Sequence, residues 1–152
     1  MATVFDTLDD LRGAAGTHLG WTDWIEITQD QVNLFAEATG DHQWIHVDVD
    51  RANAESPFGG PIAHGYLTLA LSNRLLPELL QVPGASAGVN YGTGKVRFPS
   101  PVPVGCRVRG GAEITAVEEI PGGVQTTIAI TIEVEGRDKP ACVIESLSRW
   151  LA

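Results

Sequence analysis

The run GVQTTIAITIEVEG, Gly123 to Gly136, limits what this chain can fold into more than any other stretch. Val124, Ile128, Ile130, Ile132 and Val134 share one parity, and Gln125, Thr127, Thr131, Glu133 and Glu135 share the other. Successive side chains of a strand point to opposite faces, so this is a half-buried strand whose apolar face needs a cover. Cys106, Val108, Ala112 and Ile114 alternate in the same way against Arg107, Arg109 and Glu113. Further strands are expected near Val89 to Tyr91, Lys95 to Phe98 and Cys142 to Trp150.

The cover lies upstream. ESPFGGPIAHG, Glu55 to Gly65, is rich in Gly and Pro and reads as loop. GYLTLALSNRLL follows, apolar on nearly every side through Tyr66, Leu67, Leu69, Ala70, Leu71, Leu75 and Leu76, which predicts a buried helix ended or kinked by Pro77. One buried helix followed by an antiparallel meander gives an α+β class, a curved sheet wrapped round a helix. With 152 residues and no internal repeat, residues 1–152 are expected to form one domain.

The first third supplies chemistry. Thr7 to Ala15 suits a short helix and Trp24 to Ile27 a brief strand. Thr28 stands three residues before Gln31, the capping-box spacing. Val32, Phe35 and Ala36 then follow at helical intervals until Gly40 stops the helix. Asp41 therefore begins where a helix ends, with His46 five residues on, and a carboxylate and an imidazole on one turn can act together on a water. Trp44 and Ile45 would dry that site and raise the Asp41 pKa, or else pack the loop that carries it. His42 reads as a solvated or structural loop residue, and Asp48 and Asp50 as caps of a short helix, DRANA. His42 and His46 with Asp41 have a spacing that a metal ion can use on a helix. The break at Gly40 counts against a continuous helix there, so no metal is expected.

Charge narrows the partners. A net charge of −9 argues against nucleic-acid binding, which needs basic surface. No apolar run is long enough to span a membrane. Cys106 and Cys142 form no CxxC and read as reduced core residues, and the acidic N-terminus is unlike a signal peptide; a cytoplasmic location is the expectation. From Leu79 to Ala112 there is no Asp or Glu, while Lys95, Arg97, Arg107 and Arg109 supply four of the ten basic residues. They form either a solvated outer face or a seat for anionic phosphates.

FAEATGDHQWIHVD, GGPIAHGYLTLAL and VNYGTGKVRFPSPVPVG together resemble the MaoC-like dehydratases, the hot-dog-fold family of (R)-specific enoyl-CoA hydratases, in particular the short actinobacterial members of the enoyl-CoA hydratase 1 type. Many members read Asn-Pro where Gln43-Trp44 stand here. The resemblance implies reversible hydration of trans-2-enoyl-CoA to (R)-3-hydroxyacyl-CoA by a homodimer without a bound cofactor. It assigns Asp41 and His46 as the acid/base pair. It makes the Gly65 amide, which opens the buried helix and has no intrahelical acceptor, the donor to the thioester oxygen; His64 beside it either lines the pocket or satisfies backbone groups before the helix. Lys95, Arg97, Arg107 and Arg109 would then meet the CoA phosphates. Two alternatives stand beside this reading. A hot-dog thioesterase is disfavoured because Gly65 to Leu76 carries no Asp or Glu, and a non-catalytic acyl-thioester binder would not require Asp41 and His46 together.

Overall fold

A computed structural model describes all 152 residues. In chain order the elements are β1 (Thr3–Val4), α1 (Leu8–Arg12), β2 (His18–Trp21), β3 (Ile25–Glu26), α2 (Gln29–Thr39), α3 (Trp44–Val47) and α4 (Val49–Glu55), then α5 (Gly65–Ala70), α6 (Ser72–Leu79), β4 (Leu80–Gln81), β5 (Ala87–Arg97), β6 (Arg107–Ile120), β7 (Gly123–Val134) and β8 (Cys142–Leu151). The main sheet runs β2-β6-β7-β8-β5 with β3 also on β6, all antiparallel, and β1 and β4 form a small parallel pair. The expected parity holds along β7, where the even-numbered residues are buried and most of the odd-numbered ones half-buried.

Helices α5 and α6 are almost one helix, tightened at Leu71, whose carbonyl accepts from the Arg74 amide three residues on as well as from the Leu75 amide, both at 3.0 Å. His64, Leu67, Thr68, Leu71, Leu75 and Leu79 are buried, a stripe at helical spacing that lies on the sheet. Strand β6 makes room for it with glycine: a Cβ at Gly110 would stand 3.0 Å from Leu75 Cδ1. On the opposite face of the same strand, Gly111 lies under the Trp21 ring, 2.7 Å from where its Cβ would be. One cluster of buried apolar residues joins Leu11, Val32, Leu67 and Leu75 to Val108, Ile128 and Ile144, so α1, α2 and the central helix share a core with the sheet.

Four details differ from expectation. Helix α1 stops at Arg12, short of Ala15. The central helix is not buried all round: Tyr66 is 72% exposed, and Ala70, Asn73 and Arg74 also face outward. Pro77 neither ends nor breaks α6, which continues to Leu79. The missing proline N–H would have bonded the Asn73 carbonyl, and both residues are exposed, so water can serve that oxygen instead. Finally, the two strands expected near Val89 and Lys95 are one strand, β5, with register shifts between Asn90 and Gly92 and between Thr93 and Val96. Gly92 and Gly94 allow bulges there and not a turn; the Glu145 carboxylate occupies the place of a Gly94 Cβ. No helix is long and apolar enough to cross a membrane.

The helix-to-sheet contact is therefore the place to test the fold. Leu75→Ala should lower unfolding free energy by about 2–5 kcal/mol in a urea titration, because the glycine-lined floor beneath it cannot collapse into the space. A loss under about 1 kcal/mol would show that the stripe is held elsewhere.

Candidate active site

Helix α2 begins at Thr28, whose Oγ1 accepts from Gln31 N at 3.2 Å, and ends at Gly40, whose φ of 78° turns the chain sharply. Asp41 leaves that turn exposed, with its Oδ1 accepting from Gln43 N at 3.3 Å. The four-residue α3 then carries His46 inward, to 6% exposure. Asp48 caps α4 by accepting from Arg51 N, as its position in the sequence predicts.

Three contacts fix His46. Its amide bonds to the Gln43 carbonyl at 3.0 Å, its own carbonyl accepts from Gln29 Nε2 at 2.8 Å, and its Nδ1 lies 2.7 Å from the Ile62 carbonyl. A carbonyl only accepts, so the Nδ1 carries the proton and the neutral ring keeps a bare lone pair on Nε2. Burial lowers the His46 pKa below its ordinary 6.5; the Ile62 hydrogen bond opposes this, a charge on His64 would add to it, and Asp41 raises it.

His64 is the neighbour that sequence reasoning left with two roles. It is buried to 2% exposure, its ring stacks on His46 with centroids 3.9 Å apart and planes 25° apart, and its Nε2 lies 3.0 Å from the Asp41 main-chain oxygen. An Asp41 carboxylate oxygen and one ring nitrogen from each of His46 and His64 all fall within 4.8 Å of one another. His42 does not join this group; it is exposed, 3.7 Å from Glu37. The three ligand types would suit zinc, but stacked rings place their lone pairs in nearly parallel planes, whereas zinc needs them to converge at about 2.0–2.1 Å.

Gly65 is the first residue of α5, exposed beside a cavity of about 290 Å³ lined in part by Ile62, Gly65, Thr68, Phe98 and Val102. A Cβ there would meet the Phe98 ring at 3.5 Å, an ordinary contact. Asp41 and His46 lie outside this cavity. Trp44 packs under the Arg51 guanidinium, 4.2 Å from it, so that ring holds the loop together and Asp41 itself stays exposed. Of the two roles expected for Trp44, packing is the one the contacts support.

The four basic residues are not one cluster. Lys95 and Arg97 lie on β5, and Arg107 and Arg109 on β6, with β7 and β8 between them. Arg107 pairs with Glu135, and Arg109 pairs with Glu133 at 3.0 Å while lying 4.6 Å from both the Trp21 and Trp24 rings. The acid-free run from Leu79 to Ala112 hid these pairs because the partners come from β7 and the residue just after it. Lys95 and Arg97 remain exposed without a salt bridge, although Glu145 of β8 reaches the Lys95 amide at 3.3 Å. Sequence reasoning missed Gln29 and the Ile62 carbonyl altogether. Nothing local marks either one, since each acts across 16 or 17 residues.

Comparison with known proteins adds the following. A family model described as a MaoC like domain matches residues 10–135. The "3-hydroxyacyl-thioester dehydratase Z" of Mycobacterium tuberculosis is 55% identical over 150 residues, covering 98% of this chain and 99% of that protein. The "Nodulation protein N" of Rhizobium meliloti is 42% identical, covering 96% and 89%. Among solved structures, the (R)-hydratase from A. caviae involved in PHA biosynthesis aligns with a TM-score of 0.73 at 26% identity, covering 90% of this chain and 96% of that one.

The state of His46 is directly measurable. In ¹⁵N spectra its ring should be the Nδ1–H tautomer, with a titration midpoint below 6.5 because burial disfavours the cation. A midpoint above 6.5 would mean that the Asp41 charge outweighs burial.

Proposed function

The chain belongs to the MaoC-like family, and from that membership we propose that it is a hydratase/dehydratase of acyl thioesters, interconverting trans-2-enoyl-CoA and (R)-3-hydroxyacyl-CoA with Asp41 and His46 acting on one water. The observation that carries this reading is the meeting of the Asp41 carboxylate with the His46 ring, whose Nε2 lone pair is left bare by the Nδ1 bond to Ile62.

In hydration, the water oxygen bonds to C3 of the enoyl group, one water proton goes to the pair, and C2 takes a proton from the pair. The carbon–carbon double bond is consumed and the pair ends with the protons it began with. Dehydration runs the same steps backward. Negative charge builds on the thioester oxygen as C3 is attacked, and the Gly65 N–H, one of the first amides of α5, meets it. The relative from Mycobacterium tuberculosis, named for 3-hydroxyacyl thioesters, and the (R)-hydratase of like fold support the reaction class and the substrate. Thioester hydrolysis has less support, since α5 carries no carboxylate and the one on α6, Glu78, is exposed near its end.

A second copy belongs to this reading. Strand β5 has one open edge along 11 residues, nearly all of them exposed, with Val89 and Tyr91 on it and Tyr66 and Phe98 nearby. A long open edge with apolar side chains calls for a partner, and pairing with itself in a second copy would supply one.

With crotonyl-CoA as substrate, followed by loss of the conjugated enoyl absorbance, Asp41→Asn and His46→Gln should each cut kcat by on the order of 10² or more. The double variant should be little worse than the weaker single one, since groups acting as a unit are not additive. Near-normal turnover in either single variant, with circular dichroism unchanged, removes that residue from the mechanism.

The phosphates of CoA fall to Lys95 and Arg97 in this reading. KM for crotonyl-CoA should rise with salt and in Lys95→Ala and Arg97→Ala, because exposed charges are screened at about 10 Å in 0.1 M salt. Arg107→Ala and Arg109→Ala should leave KM unchanged, their guanidiniums being paired already. A pantetheine thioester without the nucleotide should show no salt effect, and equal sensitivity for both substrates would return Lys95 and Arg97 to plain surface.

A further inference from the structure

We propose that His64 is a positioning residue that, in its neutral Nε2–H form, ties the main chain of Asp41 to the face of the His46 ring and so sets the spacing of the acid/base pair. The proposal rests on the reading of Asp41 and His46 given above. The other hydrogen bonds of the Asp41 residue, with Thr39 and Gln43, reach only two residues along the chain. The bond from His64 Nε2 is the one that crosses to another part of the fold, 23 residues away. To the local restraints of the Gly40 turn and the start of α3 it adds the one tie between the Asp41 main chain and the start of α5.

Hydrogen-bond chemistry selects the form of His64. The Asp41 carbonyl can only accept, so the proton sits on Nε2. Nδ1 is buried without a partner. A proton there would bury an unpaired N–H, at a cost of several times a typical net hydrogen bond, and would set a cation against the stacked His46 ring. The only other titratable groups at this ring are His46 and Asp41. Phe35, with its ring centroid 4.9 Å away, contributes apolar surface, and Thr68 bonds the His64 main-chain oxygen. The two stacked imidazoles are thus neutral in opposite tautomers: His46 donates through Nδ1 to Ile62, and His64 donates through Nε2 to Asp41. Each ring is aimed by a main-chain carbonyl, and the stack transmits the position of one to the other.

Two measurements test this. In ¹⁵N spectra of the wild-type protein at neutral pH, the His64 ring should be the Nε2–H tautomer; an Nδ1–H or doubly protonated ring overturns the proposal whatever the activity. His64→Phe keeps an aromatic ring for the stack but removes the donor. It should lower kcat roughly 10- to 100-fold with KM within about twofold, since a misplaced group costs rate more than ground-state binding. Introduced into Asp41→Asn, the same change should cost less than about twofold, because it acts through a residue already disabled. Full turnover in His64→Phe, or an equal further loss in the Asp41→Asn background, overturns the role. If His64→Phe does not fold, His64→Gln, which retains a side-chain N–H, is measured in the same way and should recover more of kcat than His64→Leu. A wild-type protein that hydrates no enoyl thioester defeats the functional reading, while the tautomer measurement still decides the position of His64.

Discussion

The close approach of the central helix to the sheet sets the geometry of everything else. Leu75 can lie against β6 because Gly110 leaves no side chain between them, and that contact fixes the height of the helix above the strands. The start of the helix, where His64 and Gly65 stand, is fixed with it. Because the buried stripe runs from His64 to Leu79, the same face that fills the core also delivers the His64 ring to the Asp41–His46 loop. Core and site are two ends of one buried stripe, apolar from Leu71 to Leu79 and polar at His64 and Thr68.

That arrangement explains which parts of the molecule could be read in advance. Parity along β7 and the caps of α2 and α4 are local properties, settled by side chains within a few residues, and they appear where the pattern puts them. Asp41 and His46 were legible for the same reason, since a glycine stop and a short turn determine where both leave the chain. Pairings across strands were not legible. The acid-free stretch from Leu79 to Ala112 looked like a positive surface in sequence, yet Glu133 and Glu145 of adjacent strands, and Glu135 just past the end of β7, come alongside it. The bulged β5 was read as two strands because Gly92 and Gly94 resemble a turn until β8 is seen to pair on both sides of them.

Electrostatics at the site are set more by exposure than by net charge. His46 is buried, which disfavours its doubly protonated cation, while Asp41, at the mouth of the same turn, is exposed. Burial lowers the His46 pKa, whereas the Asp41 carboxylate beside it stands in solvent. A buried imidazole and an exposed carboxylate thus stand within 4.8 Å of each other on one short turn.

The parts that aim the two imidazoles are main-chain carbonyls, those of Ile62 and Asp41, and no substitution of a side chain deletes a carbonyl. Orientation of the site is consequently vulnerable through backbone path and not through side-chain identity at those two positions. The backbone path is in turn controlled by Gly40, whose positive φ a side chain would strain, and by the loop before α5, where the Ile62 amide bonds the Ile45 carbonyl and the Ala63 amide bonds the Val102 carbonyl. Those two bonds tie the loop to the His46 turn on one side and to the segment before β6 on the other. Within that turn Trp44 packs against Arg51 and Ile45 is half-buried, so the exposed Gln43 is the position free to change in chemistry, while Gly40 and the amides of Ile62 and Ala63 carry the constraint.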